Sequence, residues 1–364
     1  MTGTWRLLPW LAIGVLLQYP AIAASRDAVA LNVSISVFEP GIPVDRSAQR
    51  DLRIFPRIRD VEARFLPFVL RETLVGTGRW GAVRVVAEPD PAAEVAVSGS
   101  IIQSDGEHLE LRVRAVDATG RVWFDRRFAS RLADAGAGPG DADSGSPYQP
   151  LYDEIARALR ESREQLDDRA LRRIADVSLM RYAVELAPSA FGQYLATDED
   201  GTFSLQRLPA KNDPMLDRIE RIRLTEYVIT DTIDAKFREL HAEIASTYAL
   251  WREYRRKALE YDRQNAAHAQ ATRSDAPRGS YDAIKNLYDN YKWDRVTAQE
   301  QDRLAIAFNN EVGPVVAAME ERVAELENWV DAKYAEWHGL LEELFEVETE
   351  LNRATPQVRS SPRD

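Results

Sequence analysis

Histidine is the side chain best suited to moving protons near neutral pH, and this chain has four: His108, His241, His268 and His338. A hydroxyl nucleophile needs such a base within reach, itself oriented by a third group. His108 falls at a hairpin turn, and the other three lie on helices or near a helix end. No serine occupies a G-x-S-x-G elbow, so the sequence predicts no acyl-transfer site. His241-Ala242-Glu243 brings two metal-ligand types together. Two residues apart, however, they do not share a helix face, and no H-E-x-x-H is present. They read as solvated helix positions. Asp198-Glu199-Asp200-Gly201 has the acidic start and glycine of a calcium loop, but the later ligands of such a loop do not follow. It reads as a hairpin turn. Neither G-x-x-x-x-G-K-[ST] nor G-x-G-x-x-G occurs. With 59 acidic residues, any glycosidase pair would be an arbitrary choice. The sequence therefore calls for no catalytic residue, no metal ligand and no cofactor, and predicts a protein that is not an enzyme.

One constellation merits a functional reading. Tyr281, Tyr288, Tyr291 and Trp293 concentrate in YDAIKNLYDNYKW. Aromatics at that density stack on sugars or anchor a protein partner. They equally pack the tip of a helical hairpin.

Composition narrows the setting. Lys plus Arg total 47 against 59 for Asp plus Glu, a net charge of −12. An acidic chain without a basic stripe is a poor partner for nucleic acid. Cysteine is absent, which excludes disulfides, thiolate chemistry and thioether-linked lipid. At the N-terminus, Arg6 precedes an apolar run from Leu7 to Leu17, and Ala21-Ile22-Ala23 follows. This is the layout of a secretory signal peptide, 1–23, cleaved after Ala23 or Ala24. The run is too short for a stable span, which takes about 20 residues; retention as an anchor is the alternative. The expected location is periplasmic, with no membrane span in the mature chain.

The elements that position these residues fall into two halves. Ala28 to Phe38 alternates apolar and polar residues, a half-buried strand. Helical spacing follows from Ile58 to Gly76, with Val61, Phe65, Phe68, Val69 and Leu74 on one side. Pro67 is expected to kink or divide that helix. Four strands come next: Gly81 to Ala87, Val95 to Gln103, Leu109 to Asp117 and Arg121 to Phe128. Asp105-Gly106 and Thr119-Gly120 supply the turns. The result is an α+β module over 28–132, with the helix over one face of a strand meander. The Gly-, Ala- and Asp-rich stretch 133–147 reads as a flexible linker. Connecting helices and a short hairpin fill 148–212.

The second half is all-α. Asp213 caps and Pro214 opens a helix running to about Ala267. Its seam is Ile233, Phe237, Leu240, Ile244, Thr247, Trp251, Tyr254, Ala258 and Tyr261, of which only Thr247 is polar. From Pro314 onward, Val316, Val323, Val330, Trp337, Leu344 and Leu351 recur every seven residues. Met319, Leu326, Lys333, Leu340 and Val347 fill the second position. Sustained heptads predict coiled-coil packing, most simply as a long antiparallel helical hairpin over 213–352. A parallel dimer through the last helix is the rival. Residues 353–364 form a disordered tail.

The first module resembles a small periplasmic α/β unit. It is similar to the N-terminal domain of TolB, to lipoprotein activators of penicillin-binding proteins, and to curli-secretion lipoproteins. The matching residues are Leu70, Leu74 and Thr77-Gly78-Arg79-Trp80. The strand Val83, Val85, Val86 follows, then Val97-Ser98-Gly99, and Leu109 to Asp117 before Ala118-Thr119-Gly120. The resemblance covers the module alone and implies a role in binding envelope proteins or in assembly, without a fixed catalytic residue. No family is recognised in 148–364. The expectation is a cell-envelope interaction or assembly protein with envelope partners and self-association through the C-terminal helices. The alternative is a peptidoglycan-binding protein or regulator of an envelope enzyme, using the aromatic cluster.

Overall fold

The computed structural model describes residues 30–132 apart from 52, 53 and 55, residues 146–210 and 213–271, and isolated positions between 284 and 340. The leader, residues 133–145 of the expected linker, the tail and most of the last helical seam lie outside the described residues.

Seven strands and six α-helices are described: β1 (Val33–Ser36), α1 (Arg46–Asp51), α2 (Pro56–Gly76), β2 (Val83–Val86), β3 (Val95–Ser104), β4 (His108–Asp117), β5 (Val122–Arg131), α3 (Gln149–Glu164), α4 (Asp168–Leu186), α5 (Pro188–Phe191), β6 (Leu195–Thr197), β7 (Phe203–Leu205) and α6 (Pro214–Ala271). A mixed α/β region thus precedes a helical one. β1 to β5 form one sheet in the order β2-β1-β3-β4-β5. β1 runs parallel to both β2 and β3, so the chain crosses over through α2 before returning beside β1. β3, β4 and β5 are successive antiparallel hairpins. Their turns contain Gly106 (φ +89°) and Gly120 (φ +88°), where a left-handed backbone favours glycine.

Alternation decides the faces. Leu109, Leu111, Val113 and Ala115 of β4 are fully buried, while Arg112 and Arg114 between them are exposed. The buried face meets α2 through Leu66, Leu70 and Leu74, and α3 through Leu151, Ile155 and Leu159. That α3 residues share this core follows from their spacing of four. The N-cap of α4 is Asp167, which accepts from Ala170 N at 2.7 Å.

α2 is a single helix of 21 residues, so Pro67 does not divide it. Proline lacks the amide that would have bonded to the Ala63 carbonyl four residues earlier. Phe38 N from the end of the β1 segment donates to that carbonyl at 2.9 Å instead. The orphaned acceptor becomes a tie between helix and sheet.

The expected hairpin around Asp200-Gly201 is present, shorter than its sequence span, as β6 and β7. Its Phe203 N donates to Thr119 O in the β4–β5 turn at 2.8 Å, seating the small hairpin against the large sheet. A second apolar cluster joins Met180 and Ala183 of α4 to Phe191 of α5 and to Ile219 and Ile222 of α6. The expected start of α6 holds: Asp213 Oδ1 accepts from Met215 N at 2.9 Å. α6 is 58 residues long. No described helix is long and apolar enough to cross a membrane.

Candidate interaction surface

α2 has two working faces. Leu66, Leu70 and Leu74 point to the sheet, Phe65, Phe68 and Arg71 lie away from it at steps of three, and Glu62 sits between the two, bonded both to Ser104 of β3 and to Tyr248 of α6. α6 lies against these last four. Its contacting residues include Asp234, His241 and Tyr248, each seven residues after the last; Arg255, the next in that series, lies over Gly106 in the β3–β4 turn. A straight α-helix keeps such positions nearly in line. This stripe is polar and aromatic, so it is invisible to a search for aliphatic heptads.

At one end of the seam, ion pairs and an edge-strand contact dominate. Arg84 of β2 forms a two-pronged pair with Asp231, at 2.7 and 3.2 Å. Asp234 is 3% exposed. It accepts from Arg71 at 2.7 Å and Arg238 at 3.1 Å. Its other oxygen lies 3.4 Å from the Val85 amide on the sheet's edge strand. Apolar contact here is small: Ile233 packs on Phe68 and Val85. Ile233 was expected in the seam toward the last helix.

Aromatic rings fill the middle. His241 stacks on Phe65 with ring centres 4.2 Å apart and planes at 17°. Phe65 also meets Tyr248 at 4.7 Å, and Tyr248 stacks on Trp251 at 5.8 Å. Burial pushes the His241 imidazole below its ordinary titration range, partly offset by the charge of Glu72.

At the far end lies a buried carboxyl. Glu62 is wholly enclosed. Its Oε1 accepts from Tyr248 Oη at 2.8 Å and from Ser104 Oγ at 2.5 Å. Arg59 Nε lies 3.6 Å from Oε2, too far for a hydrogen bond, while its Nη1 is turned to Ile101 O at 3.3 Å. The Arg252 guanidinium covers the Tyr248 and Tyr148 rings at 5.2 and 5.6 Å. Burial raises Glu62 above the carboxylate range, against the pull of Ser104, Arg59 and Tyr248. Burial likewise lowers Arg59 and raises the Tyr248 phenol well above its usual value, leaving it a neutral donor. Gly106 closes this end: a Cβ there would lie 2.8 Å from Arg255 Cβ and 3.1 Å from Arg252 O. Arg263 pairs with Glu107 beyond it.

The aromatic set singled out in the sequence is divided. Trp293 packs against the end of α6, its Nε1 donating to Asn265 Oδ1 at 3.0 Å and its ring stacked on His268 at 4.4 Å. Tyr288 and Tyr291 are 56% and 59% exposed, with Lys292 Nζ 4.9 Å from the Tyr288 ring centre. Tyr281 lies outside the described residues. The histidines are dispersed: His108 faces Asp105 in its own turn at 3.3 Å, and His338 lies outside the described residues. Asp198 Oδ1 accepts from the Asp200 and Thr202 amides at 3.1 and 2.7 Å, the internal bonding of a turn. Among the described residues no group of three His, Asp or Glu could hold a metal ion. An open groove of about 520 Å³ between α2 and α3 is lined by Thr73, Arg79, Trp80, Gln149, Arg157 and Arg160, among others.

Sequence reading missed Glu62, Arg71 and Asp234. The signal was there for Glu62. Arg59 and Glu62 interrupt the apolar face of α2 in register with Phe65, and charges in such positions mark a buried polar contact. Asp234 has no such flag.

No family model and no curated protein matches this sequence. Among solved structures, the chain has a slight likeness to a point variant of PelC from Paraburkholderia phytofirmans, solved as a dodecamer. The two are 12% identical, the match covers 36% of this chain and 88% of that one, and the TM-score is 0.20.

Proposed function

We propose that this chain is a docking protein of the cell envelope, with no catalytic role, in which an α+β module carries a long helical arm. One observation supports this most. α6, about 87 Å long at 1.5 Å per residue, is fixed to the module by side chains from Asp231 to Arg263. That arrangement holds a rigid arm at a set angle to a sheet, which suits presentation of surfaces and serves no evident chemistry. Two further contacts support a return of the chain along α6 as an antiparallel hairpin: Trp293 on Asn265, and Arg322 on Glu243. The secretory leader read in residues 1–23 supports a periplasmic location.

In-cell crosslinking of the tagged protein, followed by mass spectrometry, tests the proposal. Reproducible capture of one or two envelope proteins through the module or the arm is the expected result. Turnover of a cell-envelope substrate by the purified chain overturns it. A second reading rests on the exposure of Tyr288 and Tyr291: these rings bind wall glycan. Retention on isolated sacculi should then fall in a Tyr288→Ala, Tyr291→Ala double variant, and equal retention removes the glycan role.

A further inference from the structure

The α2–α6 seam contains two titratable groups whose charged forms are both poorly accommodated, and they carry opposite charges when ionised. Glu62 sits one helical turn before Phe65, on which His241 stacks; Tyr248, two turns after His241, donates to Glu62. Among the described residues no donor reaches Glu62 Oε2 and no acceptor reaches His241 Nε2; both atoms are buried. Ionised Glu62 would therefore hold a carboxylate oxygen without a hydrogen bond. Protonated His241 would hold an N–H without one. Each costs more free energy while α6 covers it, because undocking removes that part of the cover.

We propose that Glu62 and His241 act on the docking of α6 with opposite dependence on pH, so that each cancels the release the other would cause. The signs follow from linkage. Glu62 binds its proton more tightly when docked, so its contribution favours docking at low pH. That contribution is lost as pH rises from the ordinary carboxylate value through the raised one. His241 binds its proton less tightly when docked. Its contribution is intact above the ordinary imidazole value and is lost as pH falls from there through the lowered one. Burial, the largest cause at each group, sets the direction; Tyr248 and Arg252 pull Glu62 the other way and leave with α6, so they reduce its effect. Facing Glu62 are Arg59 on α2, Ser104 on β3 with Asp105 just beyond it, Tyr148 at the N-terminus of α3 and Tyr152 on α3, and Tyr248 and Arg252 on α6. Facing His241 are Phe65, Phe68 and Glu72 on α2. One proton per group limits either effect to about tenfold in the docking equilibrium per pH unit.

The absence of cysteine makes a direct test simple. Spin labels at Val75→Cys on α2 and Ala242→Cys on α6, both exposed positions, report the separation of the helices by double electron–electron resonance from pH 4.5 to 7.5. In the otherwise native chain the docked distance should dominate throughout. His241→Phe keeps the stack on Phe65 and leaves Glu62 alone; the docked fraction should fall as pH rises. Glu62→Gln keeps the shape and leaves His241 alone; the docked fraction should fall as pH drops. If Glu62→Gln does not fold, Tyr248→Phe in the His241→Phe background removes one donor from the carboxyl and should enlarge the alkaline loss. Slopes of the same sign in the two single variants, or no slope in either, overturn the proposal.

Discussion

The two faces of α2 present a contrast within one helix. Toward the sheet, Leu66, Leu70 and Leu74 are at most 1% exposed and belong to the apolar core. Toward α6, Glu62, Phe65, Phe68 and Arg71 meet a carboxylate, a phenol and an imidazole. Dispersion and removal of water hold the first face, and neither depends on salt or pH to first order. The second face combines stacked rings with matched charges, and buried ion pairs gain little net stability because desolvation offsets their attraction. What they supply is register: Asp234 meets Arg71, and Tyr248 meets Glu62, only when α6 sits at one height. The sheet face accordingly fixes whether the module folds, and the seam fixes where the arm lies.

The largest effect should come from the sheet face. Leu111→Ala removes a fully buried side chain from the centre of β4 and should cost about 2–5 kcal/mol, read as a fall in the urea midpoint of the whole module. Asp234→Ala should be the next largest. It leaves Arg71 and Arg238 without their shared carboxylate and uncovers the Val85 amide, at a cost of about 3 kcal/mol. The loss should register as hydrogen exchange at Val85 and along the middle of α6, with the sheet's exchange unchanged. If the whole module melted instead, the division between the two faces would be wrong.

The same contrast sets what the sequence disclosed. The sheet face was legible because alternation in β4 and the Leu70–Leu74 spacing reflect a single force, burial of apolar surface, at known periods. The turns at Gly106 and Gly120 were legible because φ near +90° leaves few choices of residue. The uninterrupted course of α2 through Pro67 was not, since its missing bond is replaced by Phe38, a residue 29 positions away. The seam was not legible either. Its partners, such as Arg71 with Asp234 or Glu62 with Tyr248, are more than 160 residues apart in the chain, and no local pattern pairs them. The aromatic cluster was found as a group of types, yet only Trp293 among its described members packs on α6.

A smaller effect should come from the glycine beneath the arm. In Gly106→Ala the new methyl meets Arg255 Cβ at 2.8 Å and the backbone adopts a positive φ, at a cost of about 1–3 kcal/mol. Gly120→Ala has the same backbone strain, but its methyl lies 2.7 Å from Gly201 O in the β6–β7 turn. Both variants should lose similar overall stability. Only Gly106→Ala should raise protease cleavage within α6, and equal cleavage in the two would mean that the turn does not seat the arm.

The smallest effect sharpens the comparison most, because geometry is held fixed while the burial of the arginine changes. Arg112 grips Asp125 on the open face of the sheet at 2.7 and 2.9 Å, the same two-pronged geometry that Arg84 uses on Asp231 at the seam. The Arg112 and Asp125 side chains are 59% and 30% exposed, while at the seam Arg84 is 13% and its partner Asp231 58% exposed, so the two pairs differ in the burial of the arginine. Water and salt screen the first pair, so its contribution should be lost in the solvation of the free charges. Arg112→Gln should leave the melting temperature unchanged at any salt concentration. Arg84→Gln should lower α6 docking, and the difference from the native chain should shrink as salt is raised. A measurable loss in Arg112→Gln would show that the open sheet face is held by its charges as the seam is, and the two-force division of this molecule would then have to be redrawn around charge and not around burial.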